Sequence, residues 1–135
     1  IPWEKGLLGH SDADVALHAL MDAMLGALGE GDIGRHFPDS DEQYRGIAST
    51  ELLRRVVELT RNKGYRVGNC DVTIVAQAPK LAPYIEEMRA NVARVLGVDV
   101  SRVNIKATTT ERLGFEGEGL GISAQAVAVM RSEAK

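Results

Sequence analysis

The sequence predicts an α+β domain in which a single sheet carries helices on its outer face. Three observations point there. Stretches at 12–28, 50–62 and 84–96 repeat apolar residues near every 3.6 positions, as amphipathic helices do. Stretches at 65–78, 103–107 and 121–130 read as strands. The two kinds of element are mixed along the chain, which makes antiparallel pairing plausible. No internal repeat or linker divides the 135 residues, so one domain, 1–135, is expected.

Residues 1–9 read as a lead-in, with a turn at Pro2 and Gly6. Ser11 reads as an N-cap, with Asp14 three residues on. The helix it opens should stop at the Gly29/Gly31 pair. Asp14, His18 and Asp22 follow i, i+4, i+8 spacing and share one face. Leu17, Leu20, Met21, Met24 and Leu28 form the apolar face. The polar stretch 32–46 reads as a loop, long for a compact domain and of the kind that often carries function. Ser49 caps the second helix, whose apolar positions are Leu52, Leu53, Val56, Val57 and Leu59. In the first strand Cys70, Val72, Ile74 and Ala76 face one way and Asp71, Thr73 and Val75 the other. Pro79 and Pro83 bracket a loop. The third helix turns Ile85, Met88, Val92 and Val95 inward and ends at Gly97. A short strand, a hydroxyl-rich turn at 108–111, a glycine-rich run and the last strand complete the chain.

Charge and composition exclude several classes. Sixteen basic against nineteen acidic residues give a net charge of −3, with no basic block, so no nucleic-acid partner is expected. No apolar stretch could span a bilayer and no signal-peptide pattern is present, so no membrane partner is expected. The single Cys70 forms no intrachain disulfide and fits a reducing compartment, the cytoplasm. Nucleophilic catalysis has little support, because Cys70 has no local base and no G-x-S-x-G occurs.

Several groups carry possible chemistry. His18, between Asp14 and Asp22, reads either as a metal ligand or as a partly buried histidine held by a carboxylate. A metal needs about three protein donors, and i, i+4 pairs supply only part of such a set. His10, just before Ser11, either grips an anion or packs. Thr108, Thr109, Thr110 and Glu111 offer hydroxyls for phosphate oxygens and a carboxylate for Mg²⁺, or else simply end a strand. The AQAPKLAP loop could read a flat base through its main chain, or be a strand exit.

Four runs stand in order across nearly the whole chain: EKGLLGHSDADVALHALMDAMLGA, GDIGRHFPDSD, DVTIVAQAPKLAPYI and NIKATTTERLGF. Together they resemble the 2-C-methyl-D-erythritol 2,4-cyclodiphosphate synthase family. The resemblance implies a homotrimer with its sheets around the threefold axis, helices outside, and an active site at each subunit boundary. It implies a substrate linked to cytidine diphosphate, cyclised with release of CMP. It implies zinc, or another divalent transition metal, held in part by His18, and Mg²⁺ or Mn²⁺ held by Glu111. His10 and Ser11 then resemble a flexible-loop pair on the substrate, with His10 and Thr109 at the transferring phosphoryl group. Asp32, Ile33 and Gly34 resemble the ribose side. Phe37, Pro38, Asp39, Ser40 and Asp41 resemble the methylerythritol side. Ala76, Gln77, Ala78, Pro79, Lys80, Leu81 and Ala82 resemble the cytosine pocket. Thr108, Thr109, Thr110, Glu111 and Phe115 complete the implied substrate contacts.

Two departures from the family pattern carry expectations. The family's other zinc ligands form an Asp-x-His on an N-terminal strand, and this sequence contains no Asp-x-His. The expected domain therefore lacks its first strand segment. A molecule that starts at Ile1 is expected to bind zinc weakly and turn over very slowly; full zinc occupancy in a 14.6 kDa chain would refute this. Glu118, in GEGLG, stands where the family usually carries an anion-binding arginine near the trimer axis. Isoprenoid diphosphates are expected to bind the axial cavity poorly, and a tight, saturable titration would overturn that expectation.

Overall fold

Apolar periodicity places three long helices and three strands, and the computed structural model contains all six. It describes residues 6–38, 48–75, 82–108 and 123–133, and for 6–13 the backbone only. Helix α1 spans Gly6–Ala27. Its buried side is Ala16, Leu17, Leu20, Met21, Met24 and Leu25, and the last four are fully shielded from solvent. Burying a side chain of that size stabilises the fold by about 1.5–3 kcal/mol. The helix begins five residues before Ser11, so Ser11 is an interior helical residue and not the cap. A cap contributes only about 1 kcal/mol, and good helix formers such as Leu7 and Leu8 extend the helix past it. Gly29, at φ 69°, ends the helix. The Glu30 N–H donates to the Leu25 carbonyl at 2.8 Å and the Gly29 N–H to the Gly26 carbonyl at 3.0 Å, the paired bonds of a Schellman stop. Leu28 thus falls beyond the helix and is half-buried, while Leu25 joins the core.

The expected loop after Gly31 contains a single helical turn, α2 (Ile33–His36), capped by Asp32. Helix α3 spans Ser49–Asn62 and buries Leu53, Val56, Val57 and Thr60. Its N-cap is Ala48, with no side-chain bond, so Ser49 lies one residue inside and does not cap. The Thr60 hydroxyl is satisfied within the helix, donating to the Val57 carbonyl at 2.9 Å. Helix α4 spans Ala82–Leu96, with Pro83 in its first turn, where a missing N–H costs nothing. Gly97, at φ 72°, ends it. The Arg61 guanidinium packs over Gly97, where a Cβ would sit 2.6 Å from Nη2. It also donates to the Leu96 carbonyl at 3.2 Å, tying α3 to the end of α4.

The sheet has three strands in the order β2-β1-β3. Strand β1 (Tyr65–Val75) is central. Strand β2 (Val103–Thr108) runs parallel to it and β3 (Ser123–Ser132) antiparallel. The sheet is therefore mixed: β1 and β2 are joined by the α4 crossover that parallel neighbours require. Val67, Cys70, Val72, Ile74, Val103 and Ile105 face the helices and are buried. A bulge at Gly68 resets the register, so Val67 and Cys70 point the same way although three residues apart. Arg102 donates to the Gly68 carbonyl at 3.0 Å, and Arg131 covers the space a Cβ there would need.

The helices pack on one face, as the sequence predicts. On the other face Asp71 accepts from Asn104 at 2.9 Å and from Lys106 at 2.7 Å. Those bonds hold its carboxyl below the usual carboxylate range. Beside them Val127 and Val129 are 67% and 51% exposed. Large β-branched side chains aligned on an uncovered sheet face are unusual for an isolated domain.

Candidate functional site

Asp14, His18 and Asp22 all lie on the exposed side of α1, as their spacing requires. His18 is exposed rather than partly buried, and no hydrogen bond joins it to Asp14 or Asp22 among the described residues. Asp22 instead reaches off the helix: its Oδ1 accepts from the Ile33 N–H at 2.9 Å. His10 and Ser11 share α1's helical backbone, so the flexible-loop expectation for them is corrected. Their side chains lie outside the described residues.

Next comes the turn into α2. Asp32 adopts an extended cap conformation, and its Oδ1 accepts from the Arg35 N–H at 2.9 Å. This satisfies an N–H that the first turn of a helix leaves without a partner. Gly34 carries no side chain; a Cβ there would lie 3.5 Å from that same Oδ1. His36 Nε2 donates to the Glu30 carbonyl at 2.6 Å, closing the turn on itself. Ile33 and Phe37 pack against the core, and Pro38 is half-buried. The expected ribose-side residues thus share one hydrogen-bonded turn. Asp39, Ser40 and Asp41 lie outside the described residues.

The remaining expected residues gather elsewhere. Val75 ends β1 and Thr108 ends β2, and the two are direct partners in the parallel ladder. The ends of the two strands at Val75 and Thr108 therefore stand side by side. The carboxyl ends of parallel strands are where open sheets commonly bind ligands. Ala82 is exposed at the first position of α4, and Thr108 is exposed too. Ala76, Gln77, Ala78, Pro79, Lys80, Leu81, Thr109, Thr110, Glu111, Phe115 and Glu118 lie outside the described residues.

The α2 turn and Thr108 stand near opposite ends of β1. Ala27, Leu28 and Glu30 line the same cleft as Tyr65 and Met130, and Glu30 pairs with Lys63 at 3.3 Å. The α1–α2 junction therefore sits beside the start of β1. Thr108 sits beside its last residue. End to end, β1 measures roughly 33 Å. His18 lies between, since its neighbours Ala16 and Leu17 line a cleft of about 70 Å³ with Ile105.

No step of the chemistry can be assigned to the thiol. Cys70 is 3% exposed, and burial, reinforced by the charge of Asp71, pushes it up to about 11. A protonated, enclosed thiol is inert. Nor do the described residues complete a metal centre. His18 is accessible as one donor, but no three His, Cys, Asp or Glu side chains among them are grouped to hold a metal ion. One link lay beyond sequence reasoning, the Asp22 to Ile33 bond. It spans eleven residues across a helix stop, and no periodicity announces it.

Fold and site define an α+β protein with a three-stranded mixed sheet, with polar groups on a helical turn and at the carboxyl end of a parallel strand. The chain belongs to the YgbB family, which it matches over residues 1–131. It is 63% identical over 134 residues to the 2-C-methyl-D-erythritol 2,4-cyclodiphosphate synthase of Syntrophotalea carbinolica, covering 99% of this chain and 82% of the relative. It is 64% identical over 131 residues to the synthase of Geobacillus kaustophilus, covering 97% and 83%. Among solved structures it matches the bifunctional IspDF of Campylobacter jejuni at 40% identity and TM-score 0.83, covering 87% of this chain and 32% of that one. It matches the CDP complex of IspF from Plasmodium falciparum at 32% identity and TM-score 0.77, covering 89% and 72%.

Proposed function

We propose that this chain converts 4-diphosphocytidyl-2-C-methyl-D-erythritol 2-phosphate to 2-C-methyl-D-erythritol 2,4-cyclodiphosphate with release of CMP, in non-mevalonate isoprenoid precursor biosynthesis. It is a phosphorus–oxygen lyase. The observation that carries this is identity above 60% to the synthases over nearly all of the chain. In this reaction an oxygen of the 2-phosphate attacks the β-phosphorus of the same molecule. The bond from that phosphorus to the bridging oxygen breaks, and CMP departs with the electron pair. No covalent enzyme group takes part, which agrees with an inert Cys70.

The protein's task is then to hold both ends of one flexible substrate. Fixing reacting groups in line replaces a large entropic cost. In this reading Asp32 and Gly34 hold the ribose, and 76–82 the cytosine. Ile33 lies with those ribose contacts, and Phe37, Pro38, Asp39, Ser40 and Asp41 flank the methylerythritol. His10, Ser11, Thr108, Thr109, Thr110, Glu111 and Phe115 line the phosphates. His18 would serve as one zinc donor and Glu111 as the Mg²⁺ or Mn²⁺ donor. Bound divalent metal would supply positive charge against two facing phosphates, which an acidic chain does not.

The same proposal includes a homotrimer with sites between subunits. In one nucleotide, ribose and base are covalent neighbours. The ribose-side turn and Val75, the strand end from which 76–82 follows, are separated by most of β1 within one chain. That separation supports a site built from two chains, and the exposed Val127 and Val129 support burial of the open sheet face. None of the described helices is long and apolar enough to cross a membrane. A cytoplasmic location belongs to the same proposal.

Single-turnover product analysis should give the cyclic diphosphate and CMP in equal amounts. Free phosphate would indicate a metal-dependent hydrolase, and CDP binding without turnover a nucleotide-binding module. The subunit boundary has its own test. Mixing Asp32→Ala with Thr109→Ala protein, each nearly inactive alone, should restore a fraction of activity, since some sites then receive both intact residues. Mixtures no more active than their parents would sink the shared-site arrangement.

A further inference from the structure

We propose that Asp22 is a positioning residue, setting the place of the backbone turn that presents Asp32 and Gly34 to the nucleotide. The inference rests on the reading of those two residues as ribose contacts. Asp22 stands on a fixed base. Its neighbours Leu20, Met21, Met24 and Leu25 are fully buried, so core packing holds this turn of α1. Its carboxylate points the other way, is exposed, and receives the Ile33 N–H at 2.9 Å.

That N–H is the first of α2, and α2 has four residues. A helix so short has almost no stability of its own, and its leading N–H groups find no acceptors within it. Two carboxylates supply them. Asp32 Oδ1 takes the Arg35 N–H from within the turn, and Asp22 Oδ1 takes the Ile33 N–H from outside it. Among the described residues, only the second bond refers the turn to the rest of the molecule by a polar contact at its leading end. The His36 bond to Glu30 is local, and the Phe37 packing acts at the trailing end. Loss of the Asp22 bond would leave Asp32 capping α2 while the whole turn shifts relative to α1. Because His18 lies one turn before Asp22, the same bond sets the distance between the ribose-side wall and the helix turn that carries His18.

The test uses the full-length protein, with substrate kinetics and CDP titration side by side. Asp22→Ala should raise KM about tenfold and weaken CDP binding by a similar factor, with kcat within about twofold. Asp22→Asn retains an oxygen acceptor at the same reach and should bring both values to within about twofold of the parent. Asp22 contributes no atoms to the core, and melting curves of both variants confirm folding. Unchanged KM and CDP affinity in Asp22→Ala overturn the inference. So does a lower kcat at unchanged KM, which would put Asp22 at the reacting phosphates. Asp22→Asn matching Asp22→Ala also overturns it, because charge would then matter and the hydrogen bond would not. Asp32→Ala separates this inference from the reading beneath it. If Asp32→Ala leaves CDP affinity intact, the ribose assignment itself falls. If Asp32→Ala weakens CDP binding and Asp22→Ala does not, only the positioning role falls.

Discussion

Burial of one side of α1 against the sheet is the constraint on which the other features rest. Leu20, Met21, Met24 and Leu25 leave no rotational freedom: turning the helix would expose several fully buried side chains at about 1.5–3 kcal/mol each. With that side fixed inward, Asp14, His18 and Asp22 must face outward. The polar row is thus a consequence of the apolar one. The Schellman stop at Gly29 then turns the chain back, so that Ile33 meets Asp22. A core interaction in this way determines where a polar turn stands.

The sheet makes the second arrangement. Strand β1 pairs in parallel with β2 and antiparallel with β3. Parallel pairing through the α4 crossover brings the exits of β1 and β2 to one end of the sheet, with the start of β3 beside them. Val75 and Thr108, 33 residues apart in the chain, end their strands as direct neighbours. The bulge at Gly68 keeps both ends of β1 in phase with the helices despite its length.

The chemistry asks for positioning, and the fold offers two kinds of fixed feature, a capped turn tied to a buried helix and paired strand ends. Cyclisation within one molecule needs no nucleophile from the protein, and the one cysteine is packed away as a core residue. The acidic chain does not itself offset the charge of a polyphosphate substrate. The face of the sheet away from the helices carries Val127 and Val129 beside the Asp71–Lys106 pair, a mixture suited to contact with further protein rather than to permanent exposure.

Much was legible in the residues themselves. The helices, the strand alternation at Cys70, Val72 and Ile74, the stops at Gly29 and Gly97, and the outward row on α1 follow from local periodicity and backbone preference. These act over a few residues, so the sequence expresses them directly. The cap assignments at Ser11 and Ser49 failed for the opposite reason. A cap is a small local term, and the propensity and packing of the adjoining residues outweigh it. The single turn at Ile33–His36 was also missed, since four residues carry too little periodicity to register. What the sequence by itself determined is the three long helices and three strands, most of their inward positions and, through four ordered motifs, the family. Only the tertiary structure decided that β1 and β2 run parallel, that Asp22 serves Ile33, and that the α2 turn and the paired ends of β1 and β2 lie at opposite ends of β1. Each of these depends on contacts between residues far apart in the chain, whose free energy exists only once the core has formed.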